Sequence, residues 1–214
     1  MHKFKILVSS IALASFSATA TAAPELYMGA QMGYQNTDLE FGYSTDFISI
    51  AQDFSLSGVA GGVFAGAKFD INNSLFIAPE VNVGTSTADG GYRESWDGGN
   101  YELEAEAGTS FGLGVLLGTQ LTSDTTVYGR LGYQRTDYEL TESGTFTDTT
   151  SYDETFGGIR YGVGMETTVT EQVALRLDWS QTQYSDESFD DGFGGTESYE
   201  PTESLFQAGV SFRF

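Results

Sequence analysis

The stretch GVFAGAKFDINNSLFIAPEVNVG, residues 62–84, decides the fold. It reads as a strand, a short break at DINNS (70–74) and a second strand. Successive side chains of a strand face opposite sides. Sorted by parity, one face holds Val63, Ala65, Ala67 and Phe69, then Leu75, Ile77, Pro79, Val81 and Val83. The other face holds Gly62, Gly66, Lys68, Glu80 and Gly84. One face is apolar and uncharged; the other mixes ions with glycine.

The same pattern recurs along the chain. Two further breaks, TQLTSDT at 119–125 and TVTEQ at 168–172, join this one to divide residues 23–214 into four near-equal pieces. Each piece predicts a hairpin, with strands near 26–34, 58–69, 75–84, 102–117, 127–135, 158–166, 173–180 and 205–214. Long Gly-, Ser-, Thr- and acid-rich segments near 36–57, 86–101, 136–157 and 183–203 are expected as loops. Strands with several charges test the parity. Glu102, Glu104 and Glu106 fall on one side, as do Arg160 with Glu166 and Arg176 with Asp178.

Eight alternating strands fit either a soluble barrel with a greasy cavity or a membrane barrel with a greasy exterior. Glycine separates the two. A narrow eight-stranded interior needs small residues wherever large ionic side chains must also fit, so the face with glycine and charge is the inside. A charge facing lipid at the bilayer centre costs roughly 2–4 kcal/mol, which explains its absence from the other face. In hydrocarbon every backbone group must be paired, so the sheet closes on itself. The expected fold is all-β: an eight-stranded antiparallel transmembrane β-barrel with short periplasmic turns and long extracellular loops. Tyr34, Tyr133 and Trp179 suit one aromatic girdle, Phe69 and Phe214 the other.

The start of the chain predicts export. MHKFK is basic, ILVSSIALASF is an eleven-residue apolar run and SATATAA is small, the order of a signal peptide, with cleavage expected after Ala22. The division is thus 1–22 signal peptide and 23–214 barrel domain. Eleven apolar residues are too few for a spanning helix, which needs ~20. No cysteine is present, so no disulfide staples the fold. Residues 23–214 carry 7 basic and 30 acidic side chains, a net charge of −23. That excess repels nucleic acid and anionic surfaces.

The tail QAGVSFRF ends on Phe214, with Phe212 and Val210 alternating behind it. Gln207, Gly209, Phe212 and Phe214 resemble the C-terminal sorting pattern of outer-membrane barrels. The resemblance implies that the barrel-assembly machinery reads this strand. The whole chain from residue 23, especially residues 62–84 and TTVYGRLGYQRT (125–136), resembles the small eight-stranded outer-membrane β-barrel family. That group includes OmpA-type transmembrane domains, OmpX-like proteins and porin-family barrel domains. It implies an integral place in the outer membrane of a Gram-negative bacterium, reached through the periplasm, among outer-membrane lipid and lipopolysaccharide. The periplasmic peptidoglycan-binding domain of full-length OmpA-type proteins has no counterpart before Phe214, and its function is not carried over.

Catalysis is not expected. Some small outer-membrane barrels are enzymes, and the resemblance implies that each of those relies on a catalytic histidine, whereas the single histidine here, His2, lies in the expected leader. The triplet Glu102, Glu104 and Glu106, expected to face inward near the mouth, would share one wet environment, poor for acid–base work. No cofactor or metal centre is expected. The acidic loops lack EF-hand spacing, though they could gather divalent cations diffusely. The inward ions Lys68, Glu80, Arg130, Arg160, Glu166, Arg176, Asp178 and Arg213 form the expected lumen network. Two functions stay open: a structural, surface-interacting barrel whose ion pairs fill the lumen, or a low-conductance, cation-preferring pore.

Overall fold

The structure, a computed structural model, describes residues 23–44, 49–72, 74–145, 147–185, 187–190 and 196–214. The expected leader lies outside these residues. The described residues form ten strands: β1 (Glu25–Ser44), β2 (Ser49–Asp70), β3 (Leu75–Ser86), β4 (Asp89–Trp96), β5 (Gly99–Gln120), β6 (Thr125–Gly144), β7 (Thr147–Thr168), β8 (Val173–Tyr184), β9 (Glu187–Asp190) and β10 (Thr196–Arg213). All these pairings are antiparallel, and β1 pairs with both β2 and β10, so the sheet closes. The ring has eight members, because β4 continues the line of β3 beside β5 and β9 lies against the far end of β10.

Burial follows the predicted parity across the membrane-crossing part. Leu175, Leu177 and Trp179 of β8 are exposed on the outside, while Ala174, Arg176, Asp178 and Ser180 are buried inside. Outward apolar residues form a continuous band, from Leu26, Leu75 and Phe214 at the turn end to Tyr34, Tyr133 and Phe206 at the other.

The three short turns share one construction. At each, a side-chain oxygen (Asn72 Oδ1, Thr122 Oγ1 or Thr170 Oγ1) accepts from two backbone N–H groups just ahead. The backbone of Ile71, Leu121 and Val169 donates to the carbonyl four residues on at 2.8 Å in all three. Asx- and Thr-type turns of this kind satisfy the backbone locally, so a short break suffices to reverse the chain.

Two expectations need correction. First, the segments read as loops are largely strand. β1 runs in unbroken register with β2 to Ser44↔Ser49, and β6 with β7 to Glu142↔Thr150. Beyond the bilayer the outward face meets water instead of lipid, so apolar residues no longer mark it and the period-2 signal fades, while the ladder, rich in Thr, Ser and Tyr, continues.

Second, Glu102, Glu104 and Glu106 do not face inward. Gly108 and Thr109 of β5 together oppose Asp137 of β6, since Ala107 pairs with Tyr138 and Ser110 with Thr136. This β-bulge adds one residue and inverts the alternation beyond it. Ala105 and Ala107 therefore point inward, at 1% and 4% exposure, and the glutamates point out. Glu102 pairs there with Arg93.

Candidate functional site: a layered polar lumen

Large interior aromatics are seated on glycines. Tyr27 stands directly across the ladder from Gly66, Phe64 from Gly29, Phe76 from Gly118 and Tyr128 from Gly164. At each glycine a Cβ would collide with the facing ring. Four aromatic side chains thus lie flat in a space that could not otherwise hold them, the arrangement by which an aromatic covers a cross-strand glycine.

Between these rings lies a four-membered ion cluster. Arg176 donates from Nη1 to Glu80 Oε2 and from Nε to Asp178 Oδ2, both at 2.6 Å. Arg130 Nη2 donates to Glu80 Oε1 at 2.9 Å and to Asp178 Oδ1 at 3.3 Å. The Tyr27 and Tyr128 hydroxyls donate to Glu80 and Asp178, each at 3.0 Å. The Arg176 guanidinium also stacks over Phe64, 4.3 Å from the ring centroid. Two cations and two carboxylates leave the cluster neutral, as burial of charge demands.

Toward the turn end sits a second neutral group. Arg213 Nη2 donates to Glu166 Oε1 at 2.5 Å, Ser211 donates to the other oxygen at 3.0 Å, and Glu25 lies 3.6 Å from Arg213 and 4.0 Å from Lys68. Toward the mouth comes an amide layer. Gln31 donates to Gln207 at 2.9 Å, and Arg160 donates to Ser180, Gln134 and Gln207 at 3.0, 3.3 and 3.4 Å. Above it Tyr184 donates to Glu203 at 2.9 Å and meets Thr136 at 2.8 Å. Burial is the largest influence on Glu203 and holds its carboxyl above the usual glutamate range, against the opposing pull of Arg160 and of the Tyr184 and Thr182 hydroxyls. An apolar cluster of Leu56, Ala88, Ala105, Ala107 and Tyr138 lies inside the mouth.

The eight residues expected as a lumen network therefore divide three ways. Glu80, Arg130, Arg176 and Asp178 meet in one cluster, Lys68, Glu166 and Arg213 in another, and Arg160 bonds neutral acceptors. Sequence reasoning missed Glu25 and Glu203. Charge balance was the available signal: five basic residues faced three acidic ones, and these two glutamates make the counts equal. Of the C-terminal segment, Gln207 faces inward in the amide layer, while Phe212 and Phe214 face outward at 48% and 74% exposure. Gly209 packs against the backbone of Ala30 and Gln31, where β10 closes on β1.

Two small cavities lie within the lumen among the described residues. A cavity of ≈ 20 Å³ lies in the amide layer and one of ≈ 30 Å³ at the turn end, with the ion cluster between them. Each has room for about one or two waters.

Outside, Asp89, Glu106, Glu139 and Asp153 stand directly opposite one another across β4, β5, β6 and β7, all exposed. Among the described residues no cluster of acidic, His or Cys side chains has the geometry of a metal site.

Comparison with known proteins agrees with the architecture. The model of the family described as outer membrane protein beta-barrel domain matches residues 7–214. No curated protein matches the sequence. Among solved structures, the chain resembles a major outer membrane protein from Thermus thermophilus (15% identity, TM-score 0.53, covering 84% of this chain and 99% of that one). It also resembles the outer membrane protease OmpT from Escherichia coli (8%, 0.51, 92% and 100%) and the outer membrane protein OprG from Pseudomonas aeruginosa (11%, 0.50, 91% and 98%). At these identities the likeness is one of fold.

Proposed function

On the premise that the chain belongs to the outer membrane protein β-barrel family, we propose that it is a non-enzymatic envelope protein whose sealed barrel carries acidic β-ribbons outside the cell. Its place is the outer membrane of a Gram-negative bacterium. The observation that carries the sealed barrel is the cluster of Glu80, Asp178, Arg130 and Arg176, which crosses the lumen from β3 to β6 and β8. An eight-stranded barrel has an interior just wide enough for side chains to fill, and this cluster fills it with matched charge. The ribbons supply the surface role, because β4–β7 lift a row of carboxylates clear of the bilayer. Absence of chemistry rests on the composition: residues 23–214 contain no histidine and no cysteine.

Purified protein refolded into planar bilayers tests this. Silent membranes are expected at all applied voltages. Stepwise currents with cation-selective reversal potentials would replace the sealed barrel with a narrow pore.

A further inference from the structure

β6 presents five residues to the lipid in sequence: Val127, Gly129, Leu131, Tyr133 and Arg135. Two of them are out of keeping with the rest of the outer face. A Cβ added at Gly129 would have nothing nearer than 3.9 Å, so the surface is hollow there. The hollow is the floor of a shallow, open apolar groove of ≈ 640 Å³ on the outer face, bordered by Leu117, Val163, Met165, Leu177 and Trp179.

Arg135 is the second. It is an exposed, outward-pointing cation immediately beyond the Tyr133 girdle, paired across the ladder with Phe111 and Gly157. Its side chain has no hydrogen bond or ion pair among the described residues. Asp137, next on that face, is instead bonded by Thr155 at 2.7 Å. The Tyr133 hydroxyl leans over Gly157, the residue opposite Arg135, and so lies at the same level. Residues 23–214 carry 30 acidic side chains against 7 basic ones, yet this guanidinium is engaged by none of the described ones.

We propose that Arg135 and the Gly129 groove form one binding site for a phosphate-bearing lipid of the outer leaflet. The guanidinium donates to phosphate oxygens, a geometry for which its planar fork is suited, and Tyr133 offers a further donor. One acyl chain descends over Leu131 into the groove. The spacing fits: six residues along a strand span about 20 Å, which a tilt of ~40° reduces to about 15 Å of depth. That distance carries a headgroup phosphate to the middle of its own chain. Asp137 and Glu139 stand further from the bilayer on the same face, so an anion with a tail is held at the level of Arg135. This site depends on the outer-membrane placement and is independent of whether the lumen conducts.

Trp179 lines the groove and is one of only two tryptophans, so it reports occupancy directly. The Trp96→Phe protein is reconstituted in phosphatidylcholine vesicles. These contain a small fraction of lipid brominated on its acyl chains, either phosphatidic acid or diacylglycerol. Brominated phosphatidic acid is expected to accumulate at Trp179 about fivefold over brominated diacylglycerol, the enrichment a single interfacial arginine provides. Arg135→Gln is expected to bring the ratio to one, and Arg93→Gln to leave it unchanged. Both variants lie on the exposed surface, and far-ultraviolet circular dichroism verifies the barrel in each. Equal quenching by the two lipids, or an excess that survives Arg135→Gln, would overturn the site.

Discussion

Arg176 grips Glu80 through two nitrogens across the width of the barrel, although 96 positions separate them in the chain. Both side chains are 2% exposed. The contact joins β3 to β8, which share no ladder, and so fixes the cross-section of the ring as no backbone pairing can. Replacing Glu80 by Ala leaves two buried guanidinium groups sharing the single carboxylate of Asp178. A loss of about 3–5 kcal/mol is expected, the usual penalty for breaking a buried ion pair from one side. Urea unfolding in detergent micelles measures it; a midpoint unchanged from wild type would show that the cluster is not structural.

The glycine–aromatic pairs give a contrast within a single strand pair. Gly164→Val would push Tyr128 off its seat and pull its hydroxyl from Asp178. Overpacking of this kind costs about 1–3 kcal/mol. Gly129→Val, on the outer face of the neighbouring strand, meets open space and is expected to leave the unfolding midpoint within error. Equal destabilisation by both would contradict the seating.

The bulge at Gly108–Thr109 makes opposite forecasts for adjacent side chains. A cysteine at Glu106 is expected to react rapidly with a membrane-impermeant maleimide, whereas one at Ala105 stays protected in the folded barrel. The reverse order would restore the uninterrupted alternation that the sequence alone suggests.

Glu203 gives the barrel a pH dependence of definite sign. Its carboxyl is held above the ordinary glutamate range by burial, so the folded state binds a proton more readily than the unfolded chain does. The stability tied to this proton is fully present below the ordinary glutamate pKa and is lost as pH rises through the raised one. Glu203→Gln keeps an acceptor for Tyr184 and cannot ionise. Unfolding midpoints followed from acid to neutral pH should fall less for the variant than for the wild type. Parallel curves would exclude Glu203 as the source.

The outward aromatics at the end of the chain separate assembly from stability. Phe214→Ser changes an exposed side chain beyond the last ladder residue, Arg213. Refolding in vitro should be unchanged, while the amount of heat-modifiable barrel in isolated outer membranes drops several-fold. Equal yields in cells would remove the sorting role from this residue.

What could be read from the sequence follows the physics of the two environments. Inside the bilayer, lipid on one face and a crowded lumen on the other force strict alternation, and strands such as β8 are legible residue by residue. Past Trp179 the outer face of β8 meets water instead of lipid while Ser180, Thr182 and Tyr184 stay buried inside, so the burial still alternates but with polar residues on both faces, and the sequence no longer marks it. Glu203 was hidden for that reason, lying in a segment that reads as polar loop. Glu25 was hidden by standing one residue before the first apolar position. Tyr27 and Tyr128 carry no charge, so charge patterning gives no sign of the hydroxyls that complete the cluster. The bulge left one trace, the Gly108–Thr109 pair, too common to mark a change of face.

The unbroken ladders constrain how such a chain can change length. Adding one residue to a stave between bilayer and ribbon would rotate everything beyond it by half a turn, sending carboxylates into the interior and alanines into water. Growth and trimming are therefore confined to the hairpin tips, to steps of two, or to places where a bulge such as Gly108–Thr109 absorbs the odd residue. Outside the cell, an odd increment is admitted only at a tip or a bulge.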